Sequence, residues 1–238
     1  MNEGIRTLVD SDLREVTSTK TQTLGSVGRT ADGRVYRYAK AGASDLAPGK
    51  LAVNADLNAD VTNKTIAASA AIGAKSVVID AGGAIVADAY ADGFLTINDA
   101  TGEGITYAVS GNTGVAGAGE VTVSLKEPLK VAVTVDVSEA TLKASPFSGL
   151  VISATDQADL PVGVPNVTIT AAYYGWVQTQ GECAVLADEA VTKGLSLTTG
   201  TGVAGAVEAY DGVGEHIIGI ASEALVDTEY RSAFLTIS

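Results

Sequence analysis

The sequence predicts an all-β protein, built from antiparallel sandwich or barrel modules with short strands and preceded by an extended N-terminal arm. The hydrophobic fraction is 46%, mostly Ala and Val, and charged residues make up only 18%. Apolar and polar residues alternate in "FLTIND" and "EVTVSLK", which is the period of two of a half-buried strand. Turn signals recur about every 8–12 residues, a spacing typical of antiparallel sandwiches and barrels.

The first 24 residues form the predicted arm. They are polar, and "TSTKTQT" contains no helical stripe. One interpretation is an extended arm that pairs with a partner sheet, which makes Leu8 and Val9 candidate interface residues. The other interpretation is a frayed terminus.

The next segment, residues 25–53, begins the β structure. Asp32-Gly33 is a hairpin turn dipeptide, because Gly tolerates the positive φ that such turns require. The residues from Val35 to Tyr38 then predict a strand. "LAPGKLAV" contains a Pro-Gly turn that leads into another strand.

The segment that begins at Asn54, "NADLNADVTNKTIAASAAIGAK", has two interpretations. Its Ala content is compatible with a helix capped by Asn58 or Asp60. "TIAASAAI" also fits a short strand of small residues, and Gly73 ends the run early, so a strand is favoured. A series of strands follows, and in one of them Val121, Val123 and Leu125 share a face.

Three of the five prolines fall within residues 144–166. Because Pro restricts its own φ and biases the preceding residue to extended shapes, this stretch predicts a long irregular connection. Strands resume at "VTITAAYYGWVQTQG" and continue to the end of the chain.

An internal similarity suggests the domain organisation. "YRYAKAGASDLAPGKLAV" and "WVQTQGECAVLADEAVTKGLSL" share a pattern of an aromatic strand, a Gly, small residues, Leu-Ala and a Gly-bounded strand. The two ends of the chain are therefore predicted to form one discontinuous β domain, residues 25–53 plus 146–238. Residues 54–145 would form a second β domain inserted into it.

Charge and composition exclude several classes of partner. The formal net charge is −13, and nucleic-acid binding depends on cations that neutralise phosphates, so no nucleic acid is expected. The same sign disfavours anionic membranes, and no apolar run reaches the roughly 18 residues of a membrane span. "MNEGIRTLVD" lacks the basic and apolar regions of a secretory signal, so folding in a cytoplasm is expected.

The sequence predicts no catalytic, cofactor-binding or metal-binding residues, and hence no enzyme. Cys183 and His216 are the only residues of their types, and neither lies in a nucleophile–base motif. "GTGVAG" matches G-x-G-x-x-G at residues 200–205, but no helix is predicted after it, as a dinucleotide site would require. The acidic loops "TDQAD" and "NDATGEG" do not match an EF-hand and are interpreted as solvated turns.

The most distinctive feature is an aromatic cluster at Tyr173, Tyr174 and Trp176. On a strand, adjacent residues point to opposite faces, so Tyr174 and Trp176 would share a face. Two rings on one face anchor a core or a subunit interface, and a sugar-binding platform is the third possibility. The three residues are therefore candidate interface residues together with Leu8 and Val9.

Several segments resemble small structural proteins of tailed bacteriophages, the head decoration or cement proteins encoded beside the major capsid protein. They are "LGSVGRTADGRVYRYAKAGASDLAPGKLA", "ADAYADGFLTINDATGEGITYAVSGNT" with "EVTVSLKEPLKVAV", and "ASPFSGLVIS" with "LPVGVPNVTITAAYYGWVQTQGECAVLADEAVTKG". The resemblance implies a virion component on the capsid exterior, assembled in the bacterial cytoplasm and bound to the major capsid protein. It implies a homo-oligomer, expected to be a trimer, with no enzyme activity and no cofactor.

A second functional class uses the same composition. The chain would then be a carbohydrate-binding or host-attachment module on a phage or cell surface. This alternative depends on Trp176 as its sugar-stacking residue, because exposed aromatic rings on one face provide such a platform.

Overall fold

The computed structural model describes residues 4–155, 157, 159–212 and 215–237. The predicted all-β class is confirmed, with 43% strand and 3% helix. In the described ranges the helical elements are α1, Asp10–Leu13, and a 3₁₀ turn, Ala59–Val61. Neither of these has the length and hydropathy needed to cross a bilayer.

The chain forms two compact units. One comprises Met1–Ala55 and Pro146–Ser238, and the other comprises Asp56–Ser145. The strands of the first unit are β1 Arg6–Thr7, β2 Val27–Arg29, β3 Val35–Lys40, β4 Ala52–Val53, β11 Val151–Ile152, β12 Pro161–Pro165, β13 Tyr174–Leu186, β14 Ser196–Thr199, β15 Val207–Ala209, β16 Gly219–Ala221 and β17 Tyr230–Thr236. Those of the second unit are β5 Lys64–Ala68, β6 Ser76–Ala81, β7 Phe94–Asp99, β8 Thr106–Asn112, β9 Gly119–Leu125 and β10 Glu139–Lys143.

The first unit is organised around β13, its longest strand. Among the described residues the sheet runs β1-β2-β3-β13-β17-β16-β14-β15, while β12 joins β13 to β4 and β4 pairs with β11. Strand β3 pairs with the first half of β13 on one edge, and β17 pairs with the second half on the other. A bulge between Gln178 and Gln180 separates the two halves. Such a bulge bends a strand, so β13 can serve both halves of the sheet.

The second unit is a closed antiparallel barrel. Its strands follow the order β10-β5-β6-β9-β8-β7, and β7 closes the ring by pairing with β10. The predicted shared face of Val121, Val123 and Leu125 is confirmed, since all three are buried in the barrel core. Closure leaves no unpaired sheet edge, because each strand of the ring hydrogen-bonds to a neighbouring strand on both sides.

The N-terminal segment differs from the prediction, because the structure does not show an extended arm. Residues 1–3 lie outside the described ranges. From residue 4 onward, β1 pairs in parallel with β2, and the amide of Leu8 donates to the carbonyl of Arg29 at 2.8 Å. The side chain of Leu8 packs so closely against Gly28 that a Cβ atom at position 28 would overlap with it. The segment docks because Leu8 and Leu13 bury their side chains against aromatic residues of the same unit.

Two further segments differ in detail from what their composition suggests. The stretch after Asn54 begins with the 3₁₀ turn, which Asn58 caps by accepting a 2.9 Å hydrogen bond from the amide of Asp60, and only then becomes strand β5. The predicted irregular connection at residues 144–166 contains β11 and β12. Pro161 and Pro165 stand at the two ends of β12, where a missing amide donor interrupts the ladder least.

Candidate functional site

The aromatic residues of β3 and β13 form a packed cluster in the first unit. The rings of Tyr38 and Trp176 meet edge to face with centroids 5.4 Å apart, and Tyr174 stacks on Tyr38 at 5.9 Å. Only 4% of Trp176 is exposed. Leu8 and Leu13 pack against the same rings, so this cluster fastens the N-terminal segment to the sheet.

The five predicted interface residues separate into two groups. Leu8, Tyr174 and Trp176 come together in the aromatic cluster. Val9 is 58% exposed and Tyr173 is 38% exposed, and neither belongs to the cluster. Tyr173 precedes the first residue of β13, while Tyr174 and Trp176 both pack against Tyr38, as their spacing on one strand face requires.

Next to the cluster lies a pocket of about 540 Å³ that the sequence did not reveal. Its volume falls in the range of roughly 300–1,000 Å³ that is usual for ligand sites. The lining residues are Arg14, Arg34, Pro48, Gly49, Pro165, Asn166, Gln178, Glu182, Cys183, Ala184 and Tyr230. They come from distant parts of the chain, and four of them, Gln178, Glu182, Cys183 and Ala184, lie on β13.

A buried polar network centred on Gln178 forms one wall of the pocket. Gln178 is fully buried. Its Nε2 donates to the carbonyls of Gln180 and Glu182 at 3.2 and 2.8 Å. Its Oε1 accepts from the hydroxyl of Tyr36 at 3.1 Å and from Nδ2 of Asn166 at 3.3 Å. The amide side chain therefore replaces a strand partner at the point where β13 bends.

The hydroxyl of Tyr36 is a second centre of this network. It accepts from Nη1 of Arg34 at 2.9 Å and from Nδ2 of Asn166 at 3.1 Å while it donates to Gln178. Desolvation by burial raises the pKa of Tyr36 to about 12. The hydroxyl consequently remains protonated at neutral pH and acts as a structural hydrogen-bonding group.

Cys183 lies in the wall of the same pocket but is only 7% exposed. Its Sγ contacts Oδ1 of Asn166 at 3.8 Å and the carbonyl of Ala184 at 3.4 Å. Burial raises the pKa of the thiol to about 12, which keeps it in the weakly nucleophilic neutral form. His216 is exposed and is not among the polar contacts of Cys183 in the described residues.

We expect the thiol of native Cys183 to resist alkylation. At pH 8 its reaction with iodoacetamide should be at least about 100-fold slower in the native protein than in urea, because the thiolate is the reactive form. Mass spectrometry of timed samples measures the alkylation rates in the native protein and in urea, and equal rates would contradict the burial.

The raised pKa of Cys183 also links stability to pH. Because the folded pKa lies above the ordinary value of 9.0, the stability that the neutral thiol contributes is present below pH 9 and is lost as the pH rises towards 12.

A third feature of the first unit is an exposed apolar surface on β16 and β17, which we call the β16–β17 face. Ile220 and Phe234 lie directly opposite each other in the ladder and are 43% and 46% exposed. Tyr230, on the same side of β17, is 52% exposed. The signal in the sequence was the adjacent pair Phe234 and Leu235, since neighbouring apolar residues on a strand place one of them outward.

Comparison of the chain with known protein families, curated proteins and solved structures finds no match. Within the described ranges, no group of three or more His, Cys, Asp or Glu side chains is placed to hold a metal ion. Positions 156 and 158 of the acidic loop "TDQAD" lie outside those ranges. The polar pocket and the β16–β17 face are therefore the features from which a function can be inferred.

Proposed function

We propose that the protein is a capsid decoration, or cement, protein of a tailed bacteriophage. It binds the major capsid protein on the outer surface of the head, as a homotrimer, and stabilises the junctions between capsomers. The observation that carries the proposal is the β16–β17 face. Three large apolar side chains are exposed on one side of two paired strands, which is a typical feature of protein contact surfaces.

The β16–β17 face suits a binding function based on adhesion. Each large apolar side chain that a partner covers contributes about 1.5–3 kcal/mol. A stable interface needs roughly 1,000 Å² in total, so the face would be the centre of a larger contact. A trimer engages several equivalent positions of a capsid lattice at once, and this multivalency raises the effective affinity.

The charge of the chain agrees with a place on the capsid exterior. At a net charge of −13, the protein is repelled by the packaged nucleic acid and also by anionic membranes. The proposed role needs neither a cofactor nor catalysis. The quoted similarity to decoration proteins supports the same location, in a virion assembled in the bacterial cytoplasm.

The alternative, a carbohydrate-binding or host-attachment module, loses its central residue. Sugar stacking requires an accessible ring face, and Trp176 is 4% exposed and enclosed by Tyr38 and Leu8. Tyr173 is accessible, but it does not belong to the aromatic cluster. The geometry of the first unit therefore favours protein contact over glycan contact.

Co-sedimentation with undecorated heads tests the proposal. The heads are assembled from the major capsid protein encoded in the same genome, and binding is measured over a range of salt concentrations. We expect the wild-type protein to pellet with them. The double variant Ile220→Ser/Phe234→Ser should bind at least about tenfold more weakly, because it removes two large apolar contacts.

A matched control comes from the barrel. Val86 is 75% exposed, so Val86→Ser also removes an exposed apolar side chain, but from the barrel unit instead of from the β16–β17 face. This variant should pellet like the wild type. Absence of wild-type binding at every salt concentration would contradict the proposed function, and equal binding by the double variant would remove the β16–β17 face from it.

A further inference from the structure

Among the residues that the structure describes, one edge of β13 has no strand partner where it borders the pocket. Strand β3 pairs with that edge only as far as Gln180, which lies opposite Val35. Beyond the gap, the amide of Leu186 donates to the carbonyl of Gly49 at 2.9 Å. Between these two closed ends lie Glu182, Cys183 and Ala184, all of which line the pocket.

The alternation of the antiparallel ladder establishes which backbone groups face this gap. The amide of Thr236 donates to Ile218 of β16 at 2.9 Å, so Thr236 points away from its β13 partner, Gln180. The ladder with β17 therefore uses the odd-numbered residues from 181 to 185, and the even-numbered residues direct their N–H and C=O groups to the other edge. The bond from Leu186 to Gly49 agrees with this assignment.

Four backbone groups consequently face the pocket, and three of them are available to a ligand. The carbonyl of Glu182 is taken by Gln178, but the amide of Glu182 donates to no described residue. The same holds for the amide of Ala184, whose carbonyl receives only the thiol contact from Cys183 at 3.4 Å. An unpaired strand edge of this kind is a template for an added strand.

The position of β3 limits how far a segment placed in the gap can extend. A segment placed in the gap in line with β3 would run antiparallel to β13 and towards Val35. Val35 itself is preceded by the hairpin turn in which the amide of Thr30 donates to the carbonyl of Arg34. A segment that extends β3 from this side must therefore end near Arg34, so the gap suits a chain terminus better than a continuous strand.

The charged side chains at the pocket indicate whether it binds an amino or a carboxyl terminus. Arg34 uses Nε for Asp32 and Nη1 for Tyr36, and its Nη2 has no partner among the described residues. Arg14 also lines the pocket and is exposed, and its side chain makes no hydrogen bond or ion pair within those residues. The carboxylate of Glu182 accepts from Ser222 at 2.9 Å. Two guanidinium groups are thus available to a carboxylate, which they bind strongly.

We propose that this pocket binds the C-terminal end of an extended polypeptide from a partner protein by β-strand addition. The amides of Glu182 and Ala184 and the carbonyl of Ala184 pair with the backbone of that segment. Its terminal carboxylate lies against Arg34 and Arg14, while Pro48, Pro165 and Tyr230 provide the apolar walls. The inference goes beyond the proposed capsid binding, and its pocket adjoins the β16–β17 face, with which it shares Tyr230.

The test uses the full-length protein and a pool of N-acetylated random tetrapeptides with a free C-terminal carboxylate. Amide ¹H–¹⁵N spectra follow the titration, and hydrogen exchange follows the protection of Glu182 and Ala184. We expect both amides to shift and to exchange more slowly. The same pool with amidated C-termini should bind more weakly by a factor of roughly ten or more, because it lacks the charge-assisted bonds.

Variants separate the carboxylate contact from the strand contact. Arg14→Gln and Arg34→Gln should weaken binding of the carboxylate pool roughly tenfold and leave the amidated pool unchanged. Arg29→Gln, at an exposed position of β2 outside the pocket, is the matched control and should bind like the wild type. The side chain of Arg14 bonds to no residue that the structure describes, so its variant remains informative even if Arg34→Gln, which breaks two internal contacts, fails to fold.

Three results would overturn the proposal. The first is the absence of any amide shift at millimolar peptide, and the second is equal binding of the two pools. The third is weaker binding by the arginine variants when the peptide does not protect the amides of Glu182 and Ala184 from hydrogen exchange. Co-sedimentation of Arg14→Gln with capsids is measured in parallel. Because Arg14 lines the pocket but does not belong to the β16–β17 face, that variant should still pellet, so failure of one proposal is distinguishable from failure of the other.

Discussion

Replacement of Trp176 by Ala is expected to lower the free energy of unfolding by about 3–5 kcal/mol, the usual cost of removing a large aromatic side chain from a core. Trp176 is 4% exposed and packs edge to face against Tyr38. Its removal leaves a cavity beneath Leu8 as well, so the docked N-terminal segment should loosen. Urea denaturation measures the stability, and hydrogen exchange at the amide of Leu8 measures the loosening.

The control for this substitution is Tyr173→Ala, three positions earlier in the chain. Tyr173 is 38% exposed and lies outside the aromatic cluster, so its truncation should change stability by no more than about 0.5 kcal/mol. A variant at Trp176 that unfolds at the wild-type urea concentration would show that the cluster is not part of the core.

The second large effect is expected at Gln178. Replacement by Ala should cost about 2–3 kcal/mol, because the carbonyl of Glu182 loses a donor and the hydroxyl of Tyr36 loses its acceptor. Urea denaturation, followed by the fluorescence of Trp176, provides the measurement.

Gln180→Ala is the matched control on the same strand. Gln180 is exposed, and its contribution to the network comes from its backbone carbonyl, which the substitution retains. We expect this variant to stay within about 0.5 kcal/mol of the wild type. If both glutamine variants lost the same stability, the bulge itself would be responsible and the buried amide network would not.

Local patterns predicted much of the strand structure. The hairpin at Asp32-Gly33 was predictable from the sequence, because Gly33 adopts a positive φ of 90° that few other residues tolerate. The inward face of Val121 and Val123 followed from alternation alone. "GTGVAG" connects β14 to β15 in an antiparallel hairpin, so a strand follows it, as the sequence predicted, and not a helix.

The N-terminal segment was beyond the reach of such patterns. Its polar composition predicted an extended arm, but only two apolar residues, Leu8 and Leu13, determine where it lies. They dock on Tyr36 and Trp176, far away in the chain. A long sequence separation hides a contact of this kind, because no periodicity within the segment records it.

The candidate sites divide in the same way. Exposure of Phe234 follows from its position beside Leu235 on a strand, although only the ladder shows that Ile220 lies opposite it. One wall of the pocket contains Gln178, which bonds to Tyr36 although the two residues are 142 positions apart. Its open strand edge exists because β3 begins at Val35, opposite Gln180, while β13 continues to Leu186.

By itself, the amino-acid order determined that this chain forms sheets, where many of its turns fall, and that its surface is acidic, because these properties depend on neighbouring residues and on composition. Only the tertiary structure decided that the N-terminal segment docks, that Trp176 is enclosed, and that an edge of β13 remains open. Each of these depends on which distant strands meet, and that choice is made by the packing of whole faces rather than by any local run of residues.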